Sequence, residues 1–391
     1  MTAGAPLVIA TVARERGITG VHTHVRQLRE YLARTGDRAD LVTPHSWAEG
    51  SAWRKLLLAP LFAARIVLER VYGPANVWWY RSSHEFFLRQ ALRQRLAREG
   101  ACTVYAQCPV SAKAALSARH GPHQRVVLAV HFRISQADEW ADKGQIRRDG
   151  RLFHAIRDSE RRVIRRLDRL VFVSSWGRAA IRAWMPELDE VPGAVFHNFV
   201  SAPTIESSVP RAGDLVSVGN LEAIKNHRYL LRVLAAAQQA GRGYSLDVFG
   251  EGVERGRLLA LAAELGVSDL VHLHGFCSDV QARLPGYAAY AHASYSESLP
   301  LAIIEAMAAG LPVIASPAGG VGELYEDPVQ GRFWPLDDVE EGARILIELM
   351  ESPDELERAG RAAKEKFLHD YAADVVVPRL LRFLEPAPES A

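Results

Sequence analysis

Apolar positions along the chain fall into two alternating patterns: short runs rich in β-branched residues, and longer stretches where apolar residues recur every three or four positions. The short runs predict strands at 6–12 (PLVIATV), 40–44, 104–107, 125–132 (RVVLAVHF), 170–174 and 193–199 in the first half. A second series predicts strands at 214–219, 245–250, 271–275, 289–294 and 312–316. Helical patterns lie between them, among them 21–35 and 150–167. This alternation specifies an α/β protein whose parallel sheets are covered by helices. Between the two series, SAPTIESSVPRAG (201–213) has no periodicity and is rich in Ser, Pro and Ala, which reads as a linker. Two tandem Rossmann-like, doubly wound domains are expected, at 1–200 and 214–370. Residues 371–391 read as a C-terminal helix and tail that pack back on the N-terminal domain. Ligands of open α/β sheets bind beyond the carboxyl ends of the strands, so two such edges facing each other predict a cleft.

One predicted helix conflicts with its surroundings. Between Pro300 and Ala309 almost every residue is apolar, yet Glu305 stands in the middle and Glu297 lies eight positions earlier. No Lys or Arg occupies positions 301, 302, 308 or 309 to pair with Glu305. A carboxylate on a helix apolar all round is costly unless something satisfies it. Ligand hydroxyls, which need an acceptor, fit that need. A single solvent-facing stripe is the plainer alternative.

Composition narrows the field. The 391 residues suit two domains, and the formal net charge of +1 excludes a general nucleic-acid binder. Three cysteines, Cys102, Cys108 and Cys277, are too few and too scattered for a disulfide framework or a zinc site. No charged n-region or long apolar run opens the chain, and no window reaches 18 apolar residues, so a cytoplasmic protein is expected. Arginine outnumbers lysine 41 to 6, which makes each remaining lysine notable.

One of those lysines follows a strand. In SVGNLEAIKNHRYLL (217–231), the strand leads to Gly219, a turn, and Lys225 at the opening of a helix. A glycine that permits close approach, an ammonium and a helix N-terminus together suit a phosphate. Gly250 and Gly252 follow another strand, where a tight turn explains them equally well. In SESLPLAIIEAMAAG (296–310), Ser298 or Leu299 precedes the first turn, Pro300 lies within it and Gly310 ends it. Glu297 then projects from the loop beside the free first-turn amides.

Taken together, these stretches resemble the family 4 retaining glycosyltransferases of the GT-B fold, which carry two glutamates separated by seven residues, the spacing of Glu297 and Glu305. AMAAGLPVIAS and PAGGVGELYEDPVQGRFWPLDD (317–338) resemble the same family. So, more loosely, do GITGVHTHVRQLREYL (17–32), AVHF (129–132) and VFVSS (171–175). The resemblance implies an acceptor-binding first domain and a second domain that binds a UDP- or GDP-sugar. It implies that Glu305 accepts ribose hydroxyls and that Glu297 holds the transferred sugar. Lys225 would neutralise the diphosphate, with the amides around Ser298 and Leu299 assisting, and His131 would meet the sugar from the first domain. Gly20, Gly219 and Gly250 would let backbone approach the donor. A strand-end histidine or a turn glycine is also an ordinary structural feature. Many members place an arginine where this chain has Asn220, which brings no charge; Arg228 is the candidate substitute. No DxD-type pair stands at a strand end, so no metal and no other cofactor is expected.

The acceptor is read from two stretches. Residues 53–100 are aromatic and basic, and 51–100 hold nine Arg or Lys against three Glu. Such a surface suits peripheral contact with an anionic membrane and a lipid-linked acceptor; leucines packed on the sheet beneath solvated arginines are the plainer and favoured reading. After His131, the stretch HFRISQADEWADKG (131–144) places Arg133, Asp138, Glu139 and Trp140 in an acidic, aromatic loop suited to a saccharide or small-molecule acceptor. Two other classes stay open. An NAD-dependent oxidoreductase lacks its GxGxxG after the first strand and leaves the paired glutamates unexplained, and a non-catalytic sugar- or nucleotide-binding protein is expected to carry a secretion signal, which is not read here.

Overall fold

The computed structural model describes residues 6–15, 17, 19–203 and 210–385. Twelve strands are β1 (Leu7–Ala10), β2 (Ala39–Val42), β3 (Cys102–Ala106), β4 (Gln124–Val130), β5 (Arg169–Phe172), β6 (Gly193–Val195), β7 (Gly213–Val218), β8 (Leu246–Phe249), β9 (Val271–Gly275), β10 (Tyr287–His292), β11 (Val313–Ala315) and β12 (Gly331–Phe333). The helices are α1 (Gly20–Thr35), α2 (Ala52–Val71), α3 (Gly73–Leu96), α4 (Pro109–Ala118), α5 (Gln136–Asp142), α6 (Arg151–Ile164), α7 (Ser175–Trp184), α8 (His227–Gln239), α9 (Arg255–Glu264), α10 (Val280–Arg283), α11 (Leu301–Ala308), α12 (Val339–Met350), α13 (Pro353–Lys366) and α14 (Ala373–Leu384).

Contacts divide the chain into two compact units, one formed by residues up to Phe196 with those from Val377 onward, the other by His197–Val376. Each unit is built on a six-stranded sheet in which neighbouring strands run parallel. Parallel strands covered on both faces are largely apolar, as β1 and, apart from Thr103, β3 show with every residue buried. In the first unit Val8, Val104, Leu128 and Leu170 form the spine of the core; in the second Leu215, Val248, Ala291 and Ile314 do so. From Val377, α14 belongs to the first unit, as the sequence leads one to expect. There the Leu384 carbonyl accepts from the Thr103 hydroxyl at 3.0 Å.

All eleven strands read from sequence are present, each within a few residues of its expected bounds. The predicted 193–199 strand is shorter because the chain leaves the sheet after Val195, with Phe196 N making a last bond to the Phe172 carbonyl. β12 escapes a periodicity reading because three residues show no alternation. Residues 204–209 of the predicted linker lie outside the described residues, and β7 already begins at Gly213.

The sheet orders decide where each unit exposes a crevice. The first runs β2-β1-β3-β4-β5-β6 and the second β12-β11-β10-β7-β8-β9. Each order reverses once, between β1 and β3 and between β7 and β10. Consecutive connections leave in opposite directions there, opening a gap at the carboxyl ends of the two central strands.

Candidate active site

The second unit places its chemistry at the β7–β10 gap. After β7 the chain runs through Gly219 and Asn220 into a tight turn at Ala223–Lys225. Asn226 then adopts a left-handed conformation (φ 51°) before α8 begins at His227. Lys225 therefore closes a turn two residues before the helix rather than opening it. After β10 the chain continues to Ser294 and Glu297, and Tyr295 N bonds the Ile224 carbonyl at 2.9 Å. That bond ties the two loops together and brings residues 72 apart in sequence into contact. Lys225 Nζ lies 2.5 Å from Glu297 Oε1.

Two residues that the sequence alone does not single out complete this site. The Ser294 hydroxyl donates to Glu297 Oε1 at 2.7 Å, and His292 Nε2 stands 3.5 Å from the same oxygen. They lie two apart, so strand periodicity directs both to one side, and their place at the end of a strand is the available signal. Burial by itself would raise the Glu297 pKa. The Lys225 ammonium and then the His292 ring outweigh it and hold the carboxyl well below the usual range. Burial, joined by the Lys225 charge, lowers His292 against the pull of Glu297, so the ring is neutral near pH 7. The result is a partly buried, ionised Lys–Glu pair beside an uncharged imidazole.

The loop carrying Glu297 is fixed from below. Gly319 (φ 67°) has its Cα so close to this loop that a Cβ there would meet the Glu297 carbonyl oxygen at 2.2 Å, and Gly320 N bonds that carbonyl at 2.8 Å. Asn198 donates to the Leu299 carbonyl at 2.8 Å, while the buried Ser298 hydroxyl finds no partner among the described residues. Pro300 is the N-cap of α11 and not part of its first turn, so every first-turn residue of the helix retains its amide. Glu305, half-buried on α11, accepts a 2.6 Å hydrogen bond from the Gln281 amide of α10. No sequence signal links positions 281 and 305.

Some residues expected beside the donor are committed elsewhere in the fold. Arg228 is held by Glu254, with bonds of 3.0 and 2.6 Å, and does not stand in for the missing arginine. At Gly250 (φ 154°) a Cβ would sit 1.9 Å from the Gly219 carbonyl oxygen, so packing between two loops requires that glycine. Gly219 is the more open of the two, its nearest neighbour to such a Cβ being Lys225 Cε at 3.7 Å. Asn220 is partly buried beside it, and Gly20 is exposed at the first position of α1.

In the first unit, three residues from different elements meet near the β1–β3 gap. His131, after β4, approaches Gln107 Oε1, after β3, at 3.0 Å. Its ring meets the edge of His24 from α1 with centroids 4.7 Å apart. Burial, with the neighbouring His24 in addition, lowers the His131 pKa well below its ordinary value.

The acidic stretch after His131 is a helix, α5, and its groups are engaged within the fold. Asp138 accepts from the Ser135 hydroxyl (2.6 Å), Arg148 (2.6 Å) and Arg157 (2.7 Å). Burial, which would raise its pKa, is outweighed by these partners. Trp140 packs with Ala137, Ile146 and Phe153 and meets Tyr80 with centroids 5.6 Å apart. Arg133 pairs with Asp142 at 2.5 Å, and burial raises the pKa of Glu139. The expected sugar-gripping loop is therefore a local packing unit, because α6 lies against it and supplies Arg157.

Glu160 of α6 anchors that unit differently. One oxygen accepts from Gln136 N at 3.1 Å and the other has no partner among the described residues; burial raises the pKa to about 8. A folded-state pKa above the unfolded one means that stability falls as pH rises from the ordinary carboxyl range toward 8. Relative to Glu160→Gln, the wild type is expected to lose about 1 kcal/mol per pH unit between pH 5 and 7. Urea unfolding of both proteins across that range measures it, and parallel pH profiles would contradict it.

Comparison with known proteins gives consistent results in both halves. Residues 18–202 match the family model "Glycosyltransferase Family 4" and residues 207–366 match "Glycosyl transferases group 1". An uncharacterized glycosyltransferase of Haemophilus influenzae is 33% identical over 141 residues, 36% of this chain and 40% of that protein. The MMP alpha-(1->4)-mannosyltransferase of Mycolicibacterium hassiacum is 27% identical over 281 residues, 67% of this chain and 65% of that one. The chain thus spans 40% to 65% of the length of these curated relatives. In structure, the sucrose-phosphate synthase of Thermosynechococcus elongatus superimposes with a TM-score of 0.74 at 17% identity, covering 97% of this chain and 98% of that one. HepE of Anabaena in complex with UDP-glucose gives 0.71 at 16% identity, covering 97% and 99%.

Proposed function

The chain belongs to the family 4 glycosyltransferases of GT-B fold, and on that premise we propose that it moves a hexosyl group from a nucleoside-diphosphate sugar to an acceptor hydroxyl with retention of anomeric configuration. The observation that carries this reading is the Lys225–Glu297 pair at the topological switch point, with Glu305 on the helix that follows. As the bond from the anomeric carbon to the diphosphate oxygen breaks, negative charge grows on the leaving phosphate and positive charge on the sugar. Lys225 and the first-turn amides of α11 meet the first, and Glu297 meets the second, each as a preorganised group in a partly dry site. With retention, the acceptor oxygen enters on the face that the diphosphate leaves. The departing phosphate oxygen is then the nearest base for the acceptor's proton.

In this reading Glu305 holds the ribose. Gly219 and Asn220 line the phosphate path. The leaving-group charge rests on Lys225 and amides alone, so turnover is expected to survive EDTA. UDP-sugars are the first donors to test, since HepE was solved with UDP-glucose, and GDP-sugars the second. The acceptor is a saccharide, lipid-linked or small-molecule hydroxyl, and the setting is cytoplasmic. No described helix is long and apolar enough to cross a membrane.

Thermal unfolding with UDP, GDP and NAD tests the donor half. A nucleoside diphosphate at about 100 times its Kd should stabilise the protein by about 2.7 kcal/mol, while NAD leaves it unchanged. Stabilisation by NAD alone, or by none of the three, would overturn the reading.

A further inference from the structure

Helix α2 presents an apolar face to water. Trp53, Leu56 and Leu57 near its start and Val67 and Val71 near its end are all exposed, Leu56 to 78% and Val71 to 75%. At about 100° per residue, positions 53, 56, 57, 60, 64, 67 and 71 fall in one arc about 100° wide, an unbroken stripe about 27 Å long. The other side of the helix is the one the fold uses, where Leu58 is buried and Leu61 and Phe62 pack against Phe87. The expectation that this segment's apolar residues pack on the protein thus holds for one face and fails for the other. Exposed Tyr72 follows directly on the stripe's last residue.

We infer that α2 docks the protein on an anionic lipid bilayer, lying in its plane with the stripe at the acyl boundary. Charge favours that occupant. Residues 51–100 carry a net +6 in a chain of +1, so the remainder is net −5, and α2 itself carries Arg54, Lys55, Arg65 and Arg70 against Glu69. Lys55 and Arg70 are exposed on α2 itself, and Trp53 and Tyr72 lie near its two ends, where amphipathic rings suit the headgroup level. A second copy on the same face would oppose two basic patches. The helix lies on the membrane and does not span it, since Arg54, Lys55, Arg65, Glu69 and Arg70 interrupt it.

The fold-facing side of α2, opposite the stripe, walls a cavity of about 770 Å³ with Leu58 and Phe62, lined also by Arg14, His45, Lys55 and Arg65 and by Glu49 and Glu69.

Co-sedimentation of the full chain with phosphatidylcholine vesicles, with and without phosphatidylglycerol, tests the inference. Binding at least tenfold stronger to the anionic vesicles is expected, weakened about tenfold or more in Leu56→Glu/Val67→Glu. Because both sites face water, the variant should retain the wild-type melting curve and its response to UDP, whatever that response is. Folded wild type that stays in the supernatant, or a variant that still pellets equally, would overturn the inference. So would light scattering that shows a wild-type dimer broken by the variant, because the stripe would then cover a second copy.

Discussion

Lys225→Ala is expected to lower kcat by about 10²- to 10³-fold, the usual cost of removing one preorganised group from a developing negative charge. In the free enzyme Lys225 is already held by Glu297 at 2.5 Å, so the ammonium needs little reorganisation to meet a diphosphate. The substitution also strips Glu297 of its main counter-charge. The carboxyl keeps Ser294, but burial then acts with less opposition and its pKa rises. A stability loss of about 1–3 kcal/mol should therefore accompany the loss of rate. Initial rates of nucleoside-diphosphate release, read beside melting curves, separate the two effects. Lys225→Arg should recover stability more than rate, because a planar guanidinium carries the charge but not the same point geometry. A kcat within a few fold of wild type in folded Lys225→Ala would remove this lysine from the chemistry.

Glu305→Ala is expected to weaken donor binding by about 10- to 100-fold, corresponding to about 1.5–3 kcal/mol for charge-assisted bonds to a ribose. Calorimetric titration with UDP and GDP measures it and identifies the base. The Gln281 amide bound to Glu305 supplies the control. If Gln281 serves to aim the carboxylate, Gln281→Ala should cost donor affinity less than Glu305→Ala does. An unchanged Kd in Glu305→Ala would mean that this carboxylate belongs to the packing of α10 against α11 and not to the donor.

Much of the second unit is legible in the sequence. Its strands are short, apolar and punctuated by Gly or Pro, and the spacing of Glu297 and Glu305 about a short apolar helix is a one-dimensional feature. The first unit is less legible at its candidate site. Asp138 and Trp140 read as groups available to a ligand because polar and aromatic residues in a presumed loop have no visible partners. Those partners, Arg148, Arg157 and Tyr80, come from 10 to 60 positions away and from beyond α5. Gly250 reads toward a ligand for a similar reason, since the carbonyl that excludes its Cβ lies 31 residues earlier at Gly219.

Periodicity is a local property, and by itself it determined which segments are strands and helices, their order, and the two-domain α/β class. Only tertiary structure decided adjacency. The order β10-β7 places Lys225 beside Glu297, and nothing in either segment alone specifies that neighbour. Tertiary structure also decided the outer face of α2. A helix apolar on two sides can bury only the side that meets a partner, and Phe87 of α3 claimed one and left the other to water.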